Sequence, residues 1–69
     1  MGERLRNQLR GARERHGLTQ ADLAGRAGVS RKTINTVENG VFTPSTMLAL
    51  RLARALDTTV EALFQLPEG

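Results

Sequence analysis

Gly28 lies between two short segments that each carry one apolar face, and no more than a turn separates them. Before it, Leu23, Ala24 and Ala27 fall at i, i+1 and i+4, a helical spacing. After it, Ile34 and Val37 lie three apart, again on one helical face. Glycine adopts the left-handed backbone conformation without a Cβ penalty, so it ends a helix abruptly. Only Val29 and Ser30 then remain before the next helix, too little chain for the two helices to run antiparallel. They are expected to cross steeply. Thr19 is placed to N-cap the first helix, with Asp22 three residues on as a variant of the capping box. Ser30 is placed to N-cap the second.

Two helices joined in this way form a helix-turn-helix. If Gln20 is position one, Ala24 is five, Gly28 nine, Ile34 fifteen and Val37 eighteen. Small Ala24 lets the second helix approach the first, and branched apolar residues fill the space behind it. Each match is weak alone, but all of them in order are specific. The stretch resembles the DNA-binding domain of phage repressors and Cro, the Xre family of bacterial regulators. The matching pieces are GLTQADLA at 17–24, AGVSRKTI at 27–34 and ENG at 38–40. Pro44-Ser45, LALRLARAL at 48–56 and VEALF at 60–64 continue it, so that positions 7–66 are covered. The resemblance is to short members that are little more than the DNA-binding domain. It implies an all-α, five-helix repressor/Cro-like bundle forming one domain over 1–69.

The helices are expected at about 7–16, 20–27, 31–39, 45–56 and 60–64, with Asn7, Thr19, Ser30, Ser45 and Thr59 as caps. Gly17 and Gly40 end the first and third. Gly11 inside the first costs roughly 1 kcal/mol relative to alanine and suggests either close packing or a weak helix. Pro67 keeps the tail from being helical. Segments 3–6 and 64–66 are able to pair as a small terminal β-ribbon, as in some short family members.

A chain of 69 residues buries only about 60% of its unfolded surface, so association often supports its stability. It has no cysteine and one histidine, which leaves no disulfide and no metal cluster. No cofactor, metal or small-molecule ligand is expected. No apolar run approaches the ~20 residues that span a membrane, and the N-terminus lacks the apolar core of a signal peptide. These absences point to the cytoplasm, and the resemblance implies a bacterial, nucleoid-associated protein. The net charge is +3, and Arg4, Arg6, Arg10, Arg13 and Arg15 crowd the start. That excess suits a polyanionic partner. There is no Ser/His/Asp set, Gly-rich phosphate loop or converging carboxylate pair, so catalysis is not expected.

An isolated helix fits the DNA major groove and reads base edges with its outward side chains. With Ile34 and Val37 inward, Arg31, Lys32, Asn35 and Thr36 face out. Arg and Lys suit the guanine acceptors O6 and N7, and Asn can pair with adenine N6 and N7. The resemblance places Arg31, Lys32 and Thr36 at the usual base-reading positions, with Asn35 adjacent. Gln20 opens the second helix, where its amide and the helix N–H groups can meet one phosphate. Ser30 and Asn39 flank the third helix and join the expected DNA contacts. Unlike the phage proteins, the loop after that helix has no Lys or Arg and carries Val41, Phe42, Thr43 and Ser45. The resemblance also pairs Arg13 with Glu38 as a buried ion pair that fixes helix geometry. Phe42, Val60, Leu63, Phe64 and Leu66 form an apolar surplus near the C-terminus and are expected at a homodimer contact.

The expected function is sequence-specific binding of double-stranded DNA, as a transcriptional repressor on a two-fold symmetric operator. An antitoxin or a restriction–modification controller would bind DNA in the same way. A protein-interaction adaptor that kept the fold and lost DNA binding is the reading of a different class.

Overall fold

The computed structural model describes residues 5–67. In chain order it has β1 (Arg6–Asn7), α1 (Leu9–Arg15), α2 (Gln20–Ala27), α3 (Arg31–Glu38), α4 (Thr46–Ala55), α5 (Val60–Leu63) and β2 (Phe64–Gln65). None of the helices is long and apolar enough to cross a membrane.

Local chemistry sets most of these boundaries. Thr19 and Asp22 form a reciprocal capping box: Asp22 N–H donates to Thr19 Oγ1 at 3.0 Å, and Thr19 N–H donates to the Asp22 carboxylate at 2.9 Å. The Thr19 backbone N–H, and after it the Thr19 side chain, hold the Asp22 carboxyl below the ordinary aspartate range. Ser30, Ser45 and Thr59 each accept the backbone N–H three residues on. Gly17, Gly28 and Gly40 take positive φ values of 68°, 73° and 73°. At Gly28 the left-handed turn is what redirects the chain from α2 into α3.

The N-cap of α1 is Gln8, which makes no side-chain cap bond, and not Asn7 as expected; Asn7, one residue earlier, accepts the Leu9 N–H at 3.0 Å. It also belongs to β1, so α1 starts at Leu9, two residues later than expected. The terminal ribbon is present but displaced. Its antiparallel register pairs Arg6 with Gln65 and Asn7 with Phe64, whereas residues 3 and 4 of the expected strand lie outside the described residues. Phe64 accordingly leaves α5 for β2. Gly11 does not mark close helix packing, since an added Cβ would meet only the flexible Arg15 side chain.

The core gathers Leu9, Leu23, Ile34, Leu52, Leu56 and Leu63 as its largest fully buried side chains, joined by Val37. Ala24 and Ala27 are buried, and α2 packs against both α3 and α4. Small residues there let three helices meet at short range. Phe64 closes the core from β2 at 7% exposure. This corrects the expectation for Leu63, which at 1% exposure has no surface left for a partner, while Phe64 keeps only a small edge outside the core. The side chains left outside are Val41, Phe42, Met47, Leu50 and Leu66. Val60 is half-buried against the core.

Candidate nucleic-acid interface

The interface is built on a polar anchor behind α3. The Glu38 side chain is 0% exposed and that of Arg13 is 11% exposed. Arg13 Nε donates to Glu38 Oε2 at 2.6 Å, and its Nη2 donates to Oε1 at 3.3 Å. A third guanidinium N–H reaches the Leu18 carbonyl at 2.8 Å. One arginine thus ties α1 to α3 and to the chain entering α2. Burial pushes the Glu38 carboxyl up, but hydrogen bonds from Arg13 and Gln20 and the charges of Arg13 and Arg10 outweigh it, leaving it below the usual range. The bond to Glu38 raises the Arg13 pKa above its ordinary value. The ion pair expected from the sequence is therefore present and inside the fold.

Toward the outside, Arg31, Lys32 and Asn35 line one shallow hollow on α3. Arg31 and Lys32 are exposed and make no ion pair among the described residues. Both charges therefore remain available to an anion. At the start of α2, the backbone N–H groups of Gln20 and Ala21 have no partner among the described residues. The helix dipole and these free donors make that terminus suitable for a phosphate oxygen.

The helix-turn-helix family model HTH_3 matches residues 9–63 of the chain. An HTH-type transcriptional regulator of Methanothermobacter thermautotrophicus is 46% identical over 65 residues, covering 93% of this chain and 94% of that protein. One from Methanocaldococcus jannaschii is 42% identical over 60 residues, covering 87% and 91%. Among solved structures, the restriction–modification controller protein C.AhdI of Aeromonas hydrophila superposes with a TM-score of 0.79. It is 38% identical, with 83% of this chain and 86% of that chain covered. The chain belongs to the HTH_3 helix-turn-helix family, of the Cro/C1 or Xre type. It carries the DNA-binding domain of a transcriptional regulator and is not an enzyme.

Within that family frame, the structure separates the candidate residues by what their polar atoms are doing. Arg31 and Lys32 are free. Asn35 is exposed, but its Oδ1 accepts from Gln20 Nε2 at 3.2 Å and from Asn39 Nδ2 at 3.3 Å. Gln20 Nε2 also donates to Glu38 Oε1 at 3.1 Å. Both amide protons of Gln20 are thus taken inside the protein. A phosphate at this helix start would meet the Gln20 backbone N–H, in place of the side-chain amide expected from the sequence. Thr36 is half-buried, and its hydroxyl donates to the Thr33 carbonyl at 3.0 Å, leaving it a methyl and an acceptor to show. Ser30 Oγ accepts the Thr33 N–H and lies 3.0 Å from Thr33 Oγ1, so its first role is to cap α3.

Arg10 belongs to this region and is absent from the sequence-based set. Its Nε is 3.6 Å from Glu38 Oε1, while 61% of its side chain stays exposed. It therefore stands near Gln20 at the start of α2 with charge facing solvent. The basic excess in the N-terminal segment was the only signal for it. Placement depended on α1 packing beside α3.

Proposed function

We propose that this chain is a sequence-specific repressor that binds double-stranded DNA as a homodimer on a two-fold symmetric operator. The observation that carries the reading is the outer face of α3. Arg31 and Lys32 stand there unpaired beside Asn35, above a buried anchor that holds the helix rigid. Such a helix enters the major groove, Arg31 and Lys32 meet guanine acceptors, and the α2 N-terminus and Arg10 meet backbone phosphates. A protein on a promoter can block polymerase by occupancy alone, so a DNA-bound dimer suffices for repression.

Dimerisation is supported by the apolar groove that Leu5, Pro44, Ala49, Leu50 and Val60 line beside Phe64. Phe42 borders the adjoining hollow, which shares Leu5, Pro44 and Phe64 with it. Leu66 follows two residues after Phe64 and is 71% exposed. A two-fold contact there would be self-complementary and would hold two α3 helices for half-sites about one DNA turn, ~34 Å, apart. The cytoplasm is the compartment this reading requires. The likeness to C.AhdI over most of both chains favours a restriction–modification controller as the second reading.

The test is fluorescence anisotropy with random-sequence and selected duplexes at several salt concentrations. Binding that weakens linearly with log salt, and a selected site bound more tightly than random DNA, are expected. No salt-dependent binding to either duplex would identify an adaptor.

A further inference from the structure

The hydrogen bonds around Glu38 have a direction. An ionised carboxylate only accepts, so the Gln20 group facing Glu38 Oε1 at 3.1 Å must be its NH2. The same nitrogen lies 3.2 Å from the Asn35 side chain, which must therefore turn its oxygen toward Gln20. Asn39 Nδ2 donates to that oxygen as well, at 3.3 Å. Both acceptor sites of Asn35 Oδ1 are then filled, and its Nδ2 has no partner among the described residues. The relay runs from a fully buried group to the outer face of α3 in two hydrogen bonds.

We infer that Glu38, acting through Gln20, fixes the Asn35 amide so that it offers DNA donors only, which makes Asn35 a reader of guanine and excludes the two-point adenine contact. The inference rests on the DNA-binding reading above. Adenine presents an acceptor at N7 beside a donor at N6, and a bidentate asparagine must supply both its oxygen and its nitrogen. Here the oxygen is occupied. Guanine presents two acceptors, N7 and O6, which a free NH2 can serve. Gln20 and Glu38 are positioning residues in this scheme, and neither needs to touch a base.

The experiment is site selection from randomised duplexes with the wild type, Asn35→Ala and Gln20→Met. Asn35 is exposed, so its truncation leaves the fold intact and marks the base pair that it reads. At that base pair the wild type is expected to prefer guanine over adenine by about fivefold or more. Gln20→Met removes the donor that Glu38 orients, and the Asn39 amide, which has no other side-chain partner among the described residues, can turn together with Asn35. Guanine and adenine should then come close to equal there while the order of preference at other positions persists. Adenine preferred by the wild type at that position would overturn the inference. So would an Asn35→Ala variant with unchanged preferences, or a Gln20→Met variant that loses affinity uniformly at every position. Should Gln20→Met fail to fold, the guanine-to-adenine order of the wild type decides by itself. A wild type that selects no site at all defeats the DNA-binding reading together with this one. A selected site with adenine opposite Asn35 defeats this one alone.

Discussion

At the α2–α3 face, no buried side-chain polar atom lacks a partner among the described residues, and the residues that would meet DNA are held from behind. Arg13, Glu38, Gln20, Asn35 and Asn39 form one connected set. Elsewhere on the molecule, α4 and the residues after β2 expose Met47, Leu50 and Leu66 at 62%, 58% and 71%. The first region is finished as a monomer. The second leaves apolar surface in water. The physical reason differs in each case. A recognition helix has to keep one orientation while its charges stay free, which a buried directional network provides. An association surface has to gain free energy on being covered, which exposed apolar groups provide.

The largest test of this contrast is Glu38→Ala. It leaves the Arg13 guanidinium buried and unpaired, and the fold should lose about 3–5 kcal/mol in urea unfolding. The joint change Arg13→Met with Glu38→Leu should recover much of that loss, since apolar residues of similar size remove the buried charge altogether. A Glu38→Ala protein that unfolds like the wild type would show that the pair does not anchor the fold.

Arg31→Ala probes the outer side of the same face. It should weaken binding to the selected site by roughly 1–3 kcal/mol and cost much less on random DNA. Equal losses on the two duplexes would reduce Arg31 to a phosphate contact.

Leu50→Glu and Leu66→Glu probe the exposed apolar surface. Both positions are exposed, so neither should lower the melting temperature of the monomer appreciably. In sedimentation equilibrium at micromolar concentration each should raise the dimer dissociation constant by about tenfold, a hot-spot-sized loss of more than 1 kcal/mol. A monomer mass throughout, or a dimer indifferent to both charges, would remove the homodimer. Val60→Glu is less diagnostic, because Val60 also packs on the core.

The smallest effect is the acid response. Glu38 is held below its ordinary pKa, so the unfolded chain binds the proton more readily and stability rises with pH in this range. The contribution is complete above the unfolded value of about 4.3 and disappears as pH falls through the lower folded value. Arg13 stays charged throughout. Thermal unfolding between pH 3 and 6 should therefore be steeper in pH for the wild type than for Glu38→Gln, and parallel curves would assign the acid response to other carboxylates.

Much of the helix-turn-helix could be read from residue order, because its determinants are local. Thr19 with Asp22, Gly28 and Ser30 lie within hydrogen-bonding or turn distance of what they control, and they fix α2 at 20–27 and the start of α3 at 31, while α3 ends at Glu38, one residue before the expected 39. Apolar periodicity likewise assigned Ile34 and Val37 to the core, and so left Arg31 and Lys32 outside. The Arg13–Glu38 pair spans 25 positions, and no periodicity finds it. It came from the resemblance, and the packing of α1 against α3 supplies the geometry.

Three matters were settled only in three dimensions, each because it depends on which surfaces meet. Leu63 and Phe64 look in sequence like the rest of the C-terminal apolar surplus, yet the core takes them and leaves Leu66 outside. Arg10 looks like one arginine of several, yet α1 carries it to Glu38 and the start of α2. Asn35 looks able to read adenine, since an isolated amide has both a donor and an acceptor. The residue order puts Asn35 and Glu38 three apart on α3 and Gln20 at the start of α2. Only the crossing of α2 over α3 brings them within hydrogen-bond distance, and a hydrogen bond's direction is decided by whichever partner cannot donate.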